Sequence, residues 1–204
     1  MSEFASADLT AGQLNALVKI VGGKERVLEI LRGTVKLVVQ VAEVVKDIFL
    51  KALGLIAVIP ATDGKRTFAG SGELFSGYLD LDFVNYGLSK PGQAKPETKF
   101  EPFELVKSGT FKQFIGSLGV PLDKLVVTED QAIWVVENRP DLLNRDGAAN
   151  FFLLKEGDEY FVANVYWHTD GRRGADVNRF GSDNVWRGGG EHRLIVPQQT
   201  PAAI

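Results

Sequence analysis

Apolar positions recur at helical spacing early in the chain and at strand spacing late in it. In LTAGQLNALVKIVGG, residues Leu14, Leu17, Val18 and Val21 fall three or four apart. Thr10 and Gln13 ahead of them have the Thr-x-x-Gln spacing of a capping box, and Gly22-Gly23 stop the run. KERVLEILRG repeats the pattern through Val27, Leu28 and Leu31 and stops at Gly33. The two runs predict an N-terminal helical hairpin over residues 1–33.

A mixed α/β segment, residues 34–88, is expected next. TVKLVVQV is rich in β-branched residues and predicts a strand. AEVVKDIFLKALG predicts a helix through Val44, Val45, Ile48, Phe49 and Leu53, and LIAVIPA a short buried strand. YLDLDFV alternates, which predicts a strand with Leu79, Leu81 and Phe83 inward and Asp80 and Asp82 outward.

Residues 89–99, SKPGQAKPETK, hold two prolines, one glycine and no large apolar side chain, and predict an exposed loop. Residues 100–204 are expected to hold helices followed by an antiparallel sheet. GTFKQFIGSLG predicts a short helix. Thr128 and Gln131 form a second capping box before Ile133, Trp134, Val135 and Val136, and Pro140 ends or kinks that helix. Beyond Asn150, two strands are joined at Glu156-Gly157-Asp158, a third follows the turn at Asp170-Gly171, and EHRLIVPQ makes a fourth that Pro197 ends. The expected fold class is α+β: helical hairpin, mixed middle region and C-terminal antiparallel sheet.

Composition narrows the chemistry. The 204 residues are 45% hydrophobic and 24% charged, ordinary for a globular chain able to bury a sizeable core. A net charge of −3 gives no global basic field for nucleic acid or anionic membrane. The absence of cysteine rules out disulfides and thiolate chemistry, and two histidines cannot make a three-histidine metal site. MSEFASADLTAGQ has no basic start and no apolar core of a signal peptide. The most apolar stretch, Val35 to Ala61, carries Lys36, Glu43, Lys46, Asp47 and Lys51, too many charges for a membrane span. A cytoplasmic location and no membrane association are expected.

Both ends of the chain have a familiar cast. The opening LTAGQLNALVKIVGGKERVLEILRGTVKLV, together with AANFFLLKEGDEYFVANVYW, DNVW and GGGEHRLIVPQ near the end, resembles a group of uncharacterised proteins of similar size that recur in candidate-phylum bacteria such as the Parcubacteria. The resemblance covers roughly the first forty and last sixty residues. It implies a shared fold and an architectural role for the terminal tryptophans and glycines, and it carries over no catalytic residue.

Four constellations could carry function. Gly188-Gly189-Gly190 lies between Trp186 and His192, but it lacks the spacing of a phosphate loop and opens a strand, so a turn is expected. On the strand Tyr160–His168, alternation puts Phe161, Ala163, Val165 and Trp167 on a core face. It puts Tyr160, Val162, Asn164, Tyr166 and His168 on a mixed face suited to recognition. Were the last strand to pair beside it, His168 and His192 could meet, with Asp170 or Glu191 adding a carboxylate for a metal. Asp80 and Asp82 are a candidate carboxylate pair for glycoside hydrolysis or a cation, against the simpler reading of a solvated strand face. Arg172, Arg173, Arg179, Arg187 and Arg193 make the C-terminal region rich in arginine, with Asp170, Asp176, Asp183 and Glu191 offsetting them.

The leading expectation is a non-enzymatic binding or assembly protein. Its surface would be the aromatic and arginine-bearing C-terminal sheet, with Tyr166, His168, Arg172, Arg173, Arg179, Trp186 and Arg187 as binding residues. No catalytic residue, metal ligand or cofactor is assigned, and a protein partner or self-association is favoured. One alternative is a nucleic-acid-associated protein using Lys24 and Arg26 of the helix pair. The other is a metal-dependent enzyme using His168 and His192.

Overall fold

The computed structural model describes residues 48–199, together with Lys19, Gly23 and Glu25. The chain divides into two compact units, residues 1–45 and 46–204. The expected helical hairpin and the strand TVKLVVQV lie outside the described residues.

The second unit is mostly β, which corrects the expected α+β class. Its strands are β1 (Leu50–Ala52), β2 (Ala57–Ile59), β3 (Tyr78–Leu79), β4 (Thr98–Leu105), β5 (Asn150–Glu156), β6 (Glu159–Trp167), β7 (Arg173–Arg179) and β8 (Arg193–Pro197). All eight belong to one mixed sheet with the order β1-β4-β8-β5-β6-β7-β3, and β2 also pairs with β4. The pairings β5–β8 and β3–β7 are parallel and the others antiparallel. The α-helices among the described residues are α1 (Asp82–Asn85), α2 (Phe111–Gly116) and α3 (Glu129–Asn138).

One local expectation fails here for an identifiable reason. The segment predicted as a helix ending at Gly54 supplies β1 instead, because Leu50, Lys51 and Ala52 find Leu105, Glu104 and Phe103 to pair with. That partner, β4, was hidden in the sequence by Pro102. The Pro102 carbonyl accepts the Leu53 N–H at 3.1 Å. Its ring nitrogen faces the same side and cannot return a bond to Leu53, so the ladder breaks there, where β1 and β2 part.

The capping box at Thr128–Gln131 forms as expected and starts α3, and an equivalent box at Thr110–Gln113 starts α2. The hairpin turn at Gly157-Asp158 joins β5 to β6, and the turn at Asp170-Gly171 leads to β7.

The sheet is buried on both faces, so its central strands carry runs of consecutive apolar residues, such as Phe151–Leu154 and Phe161–Ala163, rather than one at every second position. On one face Phe152, Leu154, Phe161, Ala163, Val165 and Ile195 pack under Ile133 and Val136 of α3. On the other, Phe151, Leu153, Val162, Leu194 and Val196 pack under Phe111, Phe114 and Ile115 of α2. Each buried ring contributes about 2–3 kcal/mol. The mixed face expected on β6 is thus covered at Val162 and opens only towards Tyr166 and the β7 edge.

Candidate functional site

β3 pairs with β7 for two residues only, Tyr78 opposite Gly174 and Leu79 opposite Ala175. The chain then turns into α1. The Asp80 carboxylate accepts the Asp82 N–H at 3.0 Å and tightens that turn. The strand expected over YLDLDFV therefore stops at Leu79: Leu81 points into solvent and Phe83 enters the core from a helix. The period-two pattern across Asp80 and Asp82 comes from a strand end followed by one helical turn.

Past that turn the outer edge of β7 lines a cleft of about 750 Å³. Its lining comes from three places: Asp176, Val177, Asn178 and Arg179 of β7, Asp80, Asp82 and Tyr86 of the turn and helix after β3, and Gly181, Ser182, Asn184 and Trp186 of the segment after β7. The Asp176 carboxylate receives Asn164 Nδ2 at 3.1 Å and Asn178 Nδ2 at 3.3 Å, and no cation pairs with it among the described residues. Burial pushes its pKa up to about 6, against the help of Asn164, with Asp80 adding to the rise. The Tyr86 hydroxyl is likewise pushed up, chiefly by its hydrogen bond with Asp82. Arg179 is engaged elsewhere: its guanidinium holds both Glu159 oxygens at 2.9 and 2.8 Å and lies 4.7 Å over the Tyr86 ring. The cleft is therefore acidic, with hydrogen-bonding amides and an aromatic rim.

Of the residues singled out from sequence, Arg179 and Trp186 line this cleft. Tyr166 is half-buried and lies flat against Gly174, where an added Cβ would sit 2.5 Å from the ring. His168 packs 5.2 Å from the Tyr166 ring. Arg172 is paired with Asp170 at 2.8 Å on the surface, which is the charge offset the sequence suggested. Arg173 lies 6.0 Å over the Trp167 ring, and Arg187 is exposed.

The two histidines are not brought together. β5 separates β6 from β8, so His168, just after β6, and His192, just before β8, flank strands that do not adjoin. His192 Nδ1 accepts the Ala149 N–H at 3.0 Å, and burial holds its pKa below the ordinary value. Among the described residues no group of three or more metal-ligating side chains could hold an ion. The glycine run is a turn. The N–H groups of Gly189 and Gly190 both donate to the Leu105 carbonyl, at 3.1 and 2.9 Å, with positive φ at both glycines. Trp186 is pinned beside this turn by mutual main-chain bonds with Gly109 at 2.9 and 3.0 Å. Its ring meets Phe151 edge-on at 4.7 Å.

A second hollow runs past Glu129, but the polar groups there hold the fold together. Glu129 accepts the Phe68 N–H at 2.7 Å and Asp130 accepts the Gly64 N–H at 2.9 Å, tying residues 64–68 to α3.

Sequence reasoning placed Asp176 among charges neutralising arginines and gave Asn164 and Asn178 no role at the edge. The signal was the alternation Asp176, Asn178 on a strand whose outer neighbour is two residues long. No protein-family model matches the chain, and no similar curated protein or solved structure was found.

Proposed function

We propose that this is a binding protein whose working surface is the acidic cleft along the outer edge of β7. The observation that carries the reading is Asp176. A carboxylate held largely away from water, given only two amide donors and set near Asp80, costs stability that its own fold does not recover. A ligand bearing hydrogen-bond donors or positive charge would recover it. This keeps the expected class, a binding protein that uses the C-terminal sheet, and moves its centre from the arginines to the carboxylates. The aromatic contribution narrows to Tyr86 and Trp186, and Arg179 serves as a fixed wall.

The metal-enzyme alternative loses its basis with the separation of the histidines. The nucleic-acid alternative rests on Lys24 and Arg26, outside the described residues, and an acidic cleft gives it no support.

Amide chemical-shift mapping on the full chain tests the proposal, using lysine amide, arginine amide, maltose and a short oligonucleotide as ligands. Shifts gathered at residues 80–86 and 176–186 are expected with the amines. Shifts confined to other surfaces, or none with any ligand, overturn it.

A further inference from the structure

Resting on that reading of the cleft, we infer that its occupant is an extended, lysine- or arginine-bearing peptide segment that adds as a strand beside residues 176–179 of β7. The main chain supplies the first argument. Gly77 N–H donates to the Arg173 carbonyl and Asp80 N–H to the Ala175 carbonyl, so odd-numbered residues of β7 face outward. The Phe180 N–H donates to the Tyr160 carbonyl, so even-numbered positions face β6. By that alternation the N–H and C=O of Val177 and the N–H of Arg179 open into the cleft, while the Arg179 carbonyl is taken by Ser182 N–H at 2.9 Å. These are the groups an added strand pairs with.

Shape and charge supply the second argument. Four consecutive β7 residues line the cleft, together with residues of the turn after β3 and of the segment after β7, so the cleft follows the strand edge beyond β3. Asp80, Asp82 and Asp176 line it, and its one lining cation, Arg179, is already held by Glu159. The β3 register places Tyr78 on the same face as Gly174, two residues before Asp176, and the Asp80 carboxylate lies near enough to Asp176 to raise its pKa. Cationic side chains at alternate positions of an added strand would therefore meet Asp80 and Asp176 together.

The test uses an acetylated, amidated heptapeptide, Thr-Lys-Val-Lys-Val-Lys-Thr, titrated into the labelled full chain. Its companions are the same peptide with glutamate for lysine, and two forms N-methylated at alternate amides, one set for each edge. The parent peptide is expected to shift the signals of residues 176–182 and to slow exchange of the Val177 and Arg179 amides at least tenfold. The glutamate form and at least one methylated form should bind at least tenfold more weakly, as should the parent peptide to a folded Asp80→Asn, Asp176→Asn double variant. Undiminished binding by both methylated forms overturns strand addition and leaves a cleft that holds cations by side chains alone. Cleft shifts with lysine amide but none with the heptapeptide overturn the inference and spare the binding site. Silence of the cleft towards every ligand overturns both.

Discussion

Asn164 and Asp176 stand directly opposite each other on β6 and β7, joined by a 3.1 Å bond from the Asn164 amide to one carboxylate oxygen. Asn164 is nearly fully buried, and its Oδ1 has no hydrogen-bond partner among the described residues. The pair is thus under-satisfied on both sides. Because the folded pKa of Asp176 is raised from 3.8 to about 6, the stability it contributes is complete below pH 3.8 and is lost as pH rises through 6. Asp176→Asn should raise the unfolding free energy from urea melts at pH 8 by an amount on the order of 2–3 kcal/mol, and change it little at pH 3.5. An unchanged midpoint at pH 8 would show that the carboxylate is solvated.

Glu129 has the same sign in a different place. Burial raises it from 4.5 to about 7, despite the Phe68 N–H bond that favours the charged form. Stability from this group is full below pH 4.5 and falls as pH climbs through 7. Glu129→Gln keeps an acceptor for Phe68 N–H and removes the charge. It should therefore stabilise the protein by about 3 kcal/mol at pH 8.5 and leave pH 4.5 unchanged, as read by paired urea melts.

Trp186 should behave as a wedge. Its ring touches Phe111, Phe151 and His192 at centroid distances of 5.7, 4.7 and 5.4 Å. Trp186→Ala should cost about 3–5 kcal/mol. Its buried Nε1 has no hydrogen-bond partner among the described residues, so Trp186→Phe should cost well under half as much. Equal losses for the two would mean that the indole nitrogen is bonded in solution.

The glycine turn orders its own variants. An added Cβ on Gly188 would lie 2.6 Å from Lys107 Cα, a main-chain atom with little room to retreat. Gly189 has open space around it and only its φ of +141° to resist substitution. Thermal melts should show Gly188→Ala losing about 2–3 kcal/mol and Gly189→Ala about 1 kcal/mol. The reverse order would place the close approach elsewhere in the turn.

Legibility in the sequence followed how local each determinant was. The capping box at Thr128–Gln131 and the antiparallel run β5-β6-β7, with its turn at Gly157-Asp158, depend on near neighbours and were readable; β8 was readable as a strand, but its partners β4 and β5 were not. Neither β1 nor β4 was, since Leu50–Ala52 becomes a strand only through residues some fifty positions on. A strand buried on both faces also blurs the alternation: Val162 looked like part of an open surface until α2 covered it. At the site, Asp80, Asp82, Arg179 and Trp186 were singled out, but as parts of separate groups. Their convergence depends on β3 lying beside β7, a parallel pairing of two residues that carries no periodic signal.

The place of β8 has a consequence for how the molecule assembles. β4 with β1 and β2 forms one part of the sheet, β5 to β7 with β3 another, and β8 is what joins them. Among the described residues, 193–197 follow every other strand in sequence, yet they occupy the middle of the ladder. A nascent chain still lacking them carries two unpaired interior edges, on β4 and on β5, exposed for as long as translation takes to reach Pro197. Sheet closure thus waits for residues 193–197 and spans long sequence separations, which makes it slow. In that interval aggregation through those two edges competes with folding.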